Sequence, residues 1–120
     1  MPETKVILFC EDDGAVPLLT WMDKLPAKAQ DKCIVKIERL AAMGHELRRP
    51  EADYLRDGIY ELRVSLQSVR YRILYFFQGK NAVISHGLVK TRKVPPKEIE
   101  LAIEHKDRFG KNPEKHTHQG

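Results

Sequence analysis

Three strand patterns follow one another between Gly58 and Lys93, and they constrain the fold of this chain more than any other stretch. Apolar and polar residues alternate over 59–66, aromatic and β-branched residues fill 69–77, and a third apolar run covers 82–89. Two residues separate the first two strands, and four separate the second and third. Connections this short join antiparallel neighbours, so we predict an antiparallel three-stranded sheet.

Helical patterns lie on both sides of these strands. A short apolar strand over residues 5–9 comes first, and apolar residues then recur at helical spacing over 17–25 and 26–43. Gly44 ends the second helix, and a last helix is predicted over 98–109. The pattern predicts an α+β fold, in which an N-terminal strand and a helical hairpin pack on an antiparallel β-sheet, with a C-terminal helix.

Two segments lack these patterns. Residues 45–57 are polar, contain Pro50 and are predicted to form a loop. Residues 111–120 are polar as well, and we predict a disordered tail there. We expect one domain over residues 1–110, since a chain of 120 residues suffices for one core but not for two.

The composition is typical of a soluble globular protein, with 42% hydrophobic and 32% charged residues. No apolar run reaches the roughly 20 residues of a membrane helix, and the first residues lack the layout of a signal peptide. Cys10 and Cys33 have no metal-ligating neighbours, which is typical of thiols that stay reduced in a cytosol. We therefore expect a cytoplasmic protein that has no membrane partner.

Positive charge is concentrated on the predicted sheet. Residues 58–93 carry seven Lys or Arg residues and one acid, Glu61, so their net charge is +6 against +4 for the whole chain. A tight first turn places Arg63 opposite Arg72, with Arg70 on the same face. Like charges opposite each other cost a few tenths to about 1 kcal/mol, so an anion or acidic side chains must offset them. The opposite face of this hairpin is predicted to be core: Tyr60, Leu62, Val64, Tyr71, Ile73 and Tyr75.

Two interpretations of this charged face are open. A regular second turn places Arg72 beside Gly87 and Leu74 beside Ser85, and such small neighbours would leave a concave cationic surface of the size of a nucleotide backbone. Arginine favours phosphate, because its guanidinium can bond two oxygens at once. The alternative is an ordinary solvated face on which Arg63 is bridged to an acid such as Glu61.

A combination of short segments then points to a family. GIYELRV, YRILYFF and HGLVK are followed by a basic run, PPKEIELA and a closing helix. In this order, over residues 4–110, the chain resembles the phage-derived HigB-type branch of the RelE/ParE toxin superfamily. The resemblance implies a RelE-like fold and a toxin of a type II toxin–antitoxin pair. Many such toxins cut mRNA in the ribosomal A site, so it implies an endoribonuclease that needs no metal or other cofactor.

The resemblance also assigns roles to basic residues. Arg72 matches the strand arginine that contacts the scissile phosphate, Arg63 matches a basic position on the preceding strand, and Lys90 matches a basic residue after the last strand. We therefore expect Arg72, Arg63 and Lys90 to be catalytic, and Arg70, Arg92 and Lys93 to bind RNA. The implied partners are a cognate helix-turn-helix antitoxin, mRNA and the ribosome.

Departures from the family pattern leave the general acid and base unassigned. Glu61 stands where RelE-like toxins often have a second lysine, and Pro95-Pro96 occupies the region that supplies a tyrosine in RelE. His86 is predicted to be a buried structural residue, because the regular register puts it on the core face with Ile73. His116-x-His118 is interpreted as part of a solvated tail rather than a metal site.

Two other functions stay open on the sequence alone. One is a non-nucleolytic toxin that binds DNA gyrase, as in the ParE branch, and the other is an inactive module that only binds an antitoxin. The set of Arg63, Arg72 and Lys90 favours the nuclease over the inactive module. Glu61 and the missing tyrosine favour the inactive module.

Overall fold

The computed structural model describes residues 4–90 and 92–118. The helices are α1 (Pro17–Met22), α2 (Ala27–Met43) and α3 (Pro96–Lys111), with a 3-10 turn at Gly44–Glu46. The strands are β1 (Val6–Phe9), β2 (Ala52–Arg56), β3 (Ile59–Leu66), β4 (Val69–Gln78), β5 (Asn81–Lys90) and β6 (Thr117–His118). Within the described ranges, no helix combines the length and the apolar character that are needed to span a bilayer.

The strands of the described ranges form one six-stranded sheet in the order β2-β3-β4-β5-β1-β6. Neighbouring strands are antiparallel, except that β1 runs parallel to β5. Gln67, in the two-residue turn between β3 and β4, has a φ of 55°, the hand that matches the twist of such hairpins. The predicted α+β fold with its antiparallel strands is confirmed.

Helices α1 and α2 cover one side of the sheet, which we call the hairpin face. Leu18 and Leu40 are almost fully buried there against Leu62 and Ile73 of the sheet. Each such side chain contributes about 1.5–3 kcal/mol through its removal from water. The prediction that the helical hairpin packs on the sheet is confirmed.

Helix α3 covers part of the other side, which we call the α3 face. Ile99 and Phe109 of the helix belong to a second buried cluster with Phe9, Leu74 and Phe76 of the sheet. Arg63, Arg70 and Arg72 lie on this same face, because side chains alternate along β3 and β4. The α3 face therefore combines an apolar part under the helix with a strongly charged part.

The register of the first hairpin matches the prediction. Arg63 pairs with Arg72, and Leu62 pairs with Ile73 one position along. The residues predicted to be core lie on the hairpin face, and five of them are at most 4% exposed: Leu62, Val64, Tyr71, Ile73 and Tyr75. A two-residue turn leaves only one register possible, so the sequence determines this pairing.

The second hairpin departs from the regular register through a bulge at Ser85. Tyr75 pairs with Ile84, but Leu74 pairs with His86, so Ser85 has no partner on β4. The prediction that Leu74 lies beside Ser85 is therefore wrong. One extra residue on β5 reverses the side chains of every later position on that strand.

Two further predictions fail for the same reason. Arg72 pairs with Leu88 instead of Gly87, so the expected open space beside the arginines is filled. His86 lies on the α3 face and not on the hairpin face with Ile73. A bulge is set by contacts on both sides of a sheet, and alternation along one strand does not reveal it.

The segment 45–57 is not a loop throughout, because β2 pairs with β3 as an additional edge strand. Ala52 lies opposite Leu62, and the backbone N–H of Arg63 donates to the carbonyl of Glu51 at 2.8 Å. An edge strand with one solvated side needs little apolar alternation, and the sequence ADYLR shows little. The charged composition of this segment therefore concealed the strand.

The prediction of a disordered tail over 111–120 is wrong for Lys111 to His118. Lys111 ends α3, and β6 pairs with β1 through Thr117 and His118. His116 is 4% exposed, stacks on Phe9 with 5.0 Å between ring centroids, and its Nδ1 lies 2.8 Å from the Cys10 carbonyl oxygen. The last two residues of the predicted tail, 119 and 120, lie outside the described ranges.

Candidate functional site

The bulge brings four basic side chains together on the α3 face. Arg63 lies opposite Arg72, and Arg70 lies opposite Lys90. If the same sequence followed a regular register with no bulge, Lys90 would lie opposite Val69 on the hairpin face, because strand side chains alternate. We call Arg63, Arg70, Arg72 and Lys90 the basic cluster.

A buried carboxylate lies within this cluster. Glu61 is 3% exposed, and its two oxygens lie 3.3 Å from Nε of Arg72 and 2.8 Å from Nε of Arg63. Arg63 Nη2 lies 3.2 Å from Oδ2 of Asp53, which also accepts from Nε of Arg49 at 2.9 Å. Charges of alternating sign thus form a continuous series, the ion chain, running Arg72–Glu61–Arg63–Asp53–Arg49. The bridge between Arg63 and Glu61 that the alternative interpretation named is present, but the face is not simply solvated there, because Glu61 and Arg72 are both buried.

Arg72 is covered by the surrounding protein. It is 5% exposed, and its Nη1 donates to the carbonyl of Tyr71 at 2.9 Å. Its Nε faces Glu61 at 3.3 Å without the geometry of a hydrogen bond. Burial lowers the pKa of Arg72 and the charge of Glu61 opposes that change, yet an arginine stays protonated at neutral pH. Arg72 therefore contributes a positive charge from beneath the surface.

The accessible charge belongs to the other members of the cluster. Arg70 is exposed and Lys90 is half-buried, while the Arg63 side chain is 30% exposed. Burial lowers the pKa of Lys90, and the nearby charge of Arg72 lowers it further. A bound anion would relieve this repulsion. Arg92 and Lys93, which we predicted to bind RNA, are exposed between β5 and α3.

A second polar group on the α3 face contains His86. Its Nε2 lies 2.9 Å from Oε1 of Glu98, and Oγ of Ser85 lies 2.8 Å from His86 Nδ1 and 2.7 Å from His105 Nδ1. A carboxylate only accepts, so with one proton on each imidazole His86 donates to Glu98 and accepts from Ser85. His105 then donates to Ser85, and its Nε2 carries no proton.

This proton assignment leaves His105 Nε2 without a proton to donate. Its Nε2 is buried without a hydrogen-bond partner and lies 3.4 Å from Oε2 of Glu11. Burial lowers the pKa of His105 to about 4, and Arg108 Nη1 lies 2.9 Å from the other oxygen of Glu11. The contact between His105 and Glu11 is therefore one between a neutral ring and a carboxylate that Arg108 already neutralises. Burial also lowers the pKa of His86.

Sequence reasoning found only part of these two groups. It named Glu61 as a partner of Arg63 in one interpretation but not as a partner of Arg72, and it gave no role to Glu98 or His105. One signal was available, because Glu98 and His105 are seven residues apart and so lie on the same side of a helix. The bulge that turns His86 toward them had no such signal.

The chemistry of this face is that of an anion site. Three adjacent strands present guanidinium and ammonium groups, which bind phosphate oxygens by charge-assisted hydrogen bonds. Across residues 4–90 and 92–118, no group of three or more His, Cys, Asp or Glu side chains is arranged to hold a metal ion. His116 contacts the Cys10 carbonyl through Nδ1 and is part of the packing around Phe9.

Comparison with known proteins adds one match. A family model described as "Phage derived protein Gp49-like (DUF891)" matches residues 20–107, which is more than half of the 120 residues. The matched range includes α2, β2 to β5 and α3 up to residue 107, and with them every member of the basic cluster. No curated protein matches the chain.

Proposed function

Because this chain belongs to the phage-derived Gp49-like family, we propose that it is the toxin of a type II toxin–antitoxin pair. The proposed activity is that of a metal-independent, ribosome-dependent mRNA endoribonuclease. The basic cluster is the observation that carries this proposal, since it gathers four positive side chains on one face of the sheet. The resemblance of its segments to the HigB-type branch of the RelE/ParE toxins supports the same assignment.

The proposed reaction is attack of a ribose 2′-OH on the neighbouring phosphate. The O2′–P bond forms and the P–O5′ bond breaks, which gives a 2′,3′-cyclic phosphate and a free 5′-OH. Water takes the proton of the 2′-OH and gives a proton to the leaving 5′ oxygen. Negative charge builds up on the phosphate oxygens in the transition state, and fixed positive groups stabilise it electrostatically. Arg70, Lys90 and the exposed part of Arg63 would contact these oxygens. Arg72 would add its charge from below and hold Glu61, which in turn orients Arg63. Arg92 and Lys93 would bind the RNA on either side of the cut.

A second candidate function is an inactive module that only binds an antitoxin. The observation that favours it is the burial of Glu61 between Arg63 and Arg72, because this carboxylate already neutralises part of the cluster. In the nuclease, an incoming phosphate must compete with Glu61 for Arg63. In the inactive module, the ion chain serves only to hold the sheet together.

Induced expression without an antitoxin, followed by primer extension on cellular mRNA, tests the proposal. We expect the parent protein to arrest growth and cut translated mRNA. The double variant Arg70→Ala/Lys90→Ala should cut about a hundredfold to a thousandfold more slowly, because both side chains meet the transition-state charge. Lys24→Ala/Lys28→Ala removes the same amount of charge from two exposed positions, one between α1 and α2 and one in the first turn of α2. This control variant should leave cleavage unchanged.

The alternatives predict other results in the same cells. A parent protein that is well expressed, leaves mRNA intact and does not arrest growth would indicate the inactive module. Growth arrest with intact mRNA and altered plasmid supercoiling would indicate a gyrase toxin. Equal loss of cleavage in both double variants would show that net charge matters and the cluster does not.

A further inference from the structure

A groove of about 530 Å³ opens at the β2 edge of the sheet. Tyr54 and Tyr60 line it from β2 and β3. His45, Arg48 and Arg49 line it from the segment that follows α2. Its volume is within the range of small-molecule sites in proteins, about 300–1,000 Å³.

Aromatic rings held by their neighbours form one wall of this groove. Tyr54 is 53% exposed and packs edge-on against Tyr60, with 5.1 Å between ring centroids. Tyr60 stacks on Tyr75 at 5.4 Å, and His45 stacks on Phe77 at 3.6 Å. The rings are therefore ordered before any ligand arrives, which lowers the entropy cost of binding.

Two arginines add positive charge beside the rings. Arg48 is exposed, and the Arg49 side chain is 75% exposed although its Nε bonds Asp53. Single-stranded nucleic acids bind where bases stack on aromatic rings and basic side chains contact the phosphates. An acidic peptide would use the arginines but would gain little from the flat faces of the rings. The combination therefore favours a nucleotide.

We propose that this groove binds a nucleotide of a single-stranded RNA that passes around the β2 edge from the basic cluster. The RNA must pass around this edge because the groove rings Tyr54 and Tyr60 lie on the hairpin face and the cluster lies on the α3 face. The two places share a structural element, because Asp53 lines the groove and bonds both Arg49 and Arg63. This inference rests on the proposed function and extends it to a second contact with the substrate. Every base has a flat face, so the groove adds affinity with little choice of sequence.

Binding of a non-cleavable oligonucleotide to the full chain tests the inference. The probe is a fluorescein-labelled tetra-adenylate with 2′-O-methyl riboses, which lacks the attacking hydroxyl. Tyr54→Ala should weaken binding roughly 5- to 100-fold, the range for loss of one stacked base. Tyr54→Phe keeps the ring but loses the same hydrogen bond from the Gly58 N–H, so it should bind within about twofold of the parent protein. Val89→Ala shortens another exposed apolar side chain and should have no effect.

Amide chemical shifts from ¹⁵N-labelled protein locate the bound probe. We expect shifts at Tyr54, Tyr60 and Arg48 as well as at the basic cluster. Equal affinity of the Tyr54→Ala and parent proteins would overturn the inference, as would shifts confined to the basic cluster. Shifts in the groove produced by a poly-glutamate peptide and not by the probe would also overturn it and point to an acidic protein segment. If the probe bound in the groove but the protein never cut mRNA, the proposed nuclease function would be overturned and the nucleotide site in the groove would stand.

Discussion

Glu61 determines what charge the basic cluster presents to solvent. Its two oxygens are each committed to one arginine, and at 3% exposure it has almost no contact with water. A buried ion pair of this kind contributes little net stability, but the loss of one partner leaves an unpaired buried charge. Arg72 therefore has a structural role in addition to the electrostatic role proposed for its buried charge.

Arg72→Ala should destabilise the protein by at most about 3–5 kcal/mol, the range for a buried charge without a partner, because Glu61 loses one of its two arginines and keeps Arg63. The double variant Glu61→Leu/Arg72→Leu should lose much less, since it buries apolar groups in place of both charges. Urea denaturation followed by circular dichroism measures both free energies of unfolding. Arg72→Lys should restore part of the stability, because it keeps a positive charge near Glu61. It should restore little of the cleavage, because an ammonium cannot bond the Tyr71 carbonyl and face Glu61 at once as the guanidinium does.

The double variant provides the control for this comparison. If Arg72→Ala and Glu61→Leu/Arg72→Leu were equally destabilised, the loss of stability would come from lost packing and not from a Glu61 carboxylate that lacks Arg72. An Arg72→Ala protein that is folded at the assay temperature and still cuts mRNA at the parent rate would contradict the electrostatic role proposed for Arg72 in the transition state.

At the scale of elements, local patterns determine some pairings and miss others. The first hairpin could be predicted to the residue, because a two-residue turn and a buried face permit one register. The bulge at Ser85 could not, because it depends on what α3 and the helical hairpin present to the two faces of β5. The edge strands β2 and β6 were not predicted from the sequence for a different reason. Edge strands are short and polar, and they obtain their order from the neighbour they pair with.

The same limits explain how much of the site could be predicted. Arg63, Arg70 and Arg72 were assigned to one face correctly, since their strands have a regular register. The pairing of Arg70 with Lys90 and the position of His86 both depend on the bulge. The burial of Arg72 depends on Leu88 and Glu61, which only the folded chain brings around it.

The buried His105 of α3 should make the folded protein less stable in acid. His105 has a pKa of about 4 in the folded protein against 6.5 for a free imidazole, because it is buried. The unfolded chain therefore binds more protons between these values, so stability is complete above about pH 6.5 and falls as the pH drops toward 4. Glu11 favours the protonated ring, while His86 and Arg108 oppose it.

Urea titrations between pH 7.5 and 4.5 measure this dependence. His105→Gln should flatten the slope by at most about 1.4 kcal/mol per pH unit, the contribution of one proton. His45→Gln removes an exposed histidine and serves as the matched control. A parent protein and a His105→Gln variant with the same pH dependence would show that other groups set the acid limit.

At the scale of the whole molecule, the charge is unevenly distributed. The segment 58–93 has a net charge of +6, whereas the whole chain has +4, so the remaining residues are slightly acidic. The basic cluster and the exposed Arg92 and Lys93 give this segment a one-sided positive field. We propose that a cognate antitoxin with an acidic or helical segment covers this surface in the resting complex.

The association rate of that complex should therefore depend on salt. Opposite charges steer two proteins together at low ionic strength, and salt screens the attraction. Stopped-flow measurements between about 0.01 and 0.15 M salt should show a fall in the association rate, because the screening length decreases from about 30 to 8 Å. Arg70→Ala/Lys90→Ala should reduce this salt dependence, and Lys24→Ala/Lys28→Ala should change it less. A rate that is indifferent to salt would contradict the proposed mode of binding.

The bulge in β5 makes the number of codons in this part of the gene as important as their meaning. Loss of the codon for Ser85 would remove only the residue without a partner and would leave Lys90 opposite Arg70, whereas loss of the codon for Val89 would place Lys90 opposite Tyr71 on the hairpin face and separate it from Arg70. Gly87 would keep its place against the Trp21 ring, where no larger residue fits, in both cases. One in-frame deletion would therefore do what several simultaneous substitutions are needed to do. Insertions and deletions here, more than point mutations, are the events expected to separate folding from function in descendants of this gene.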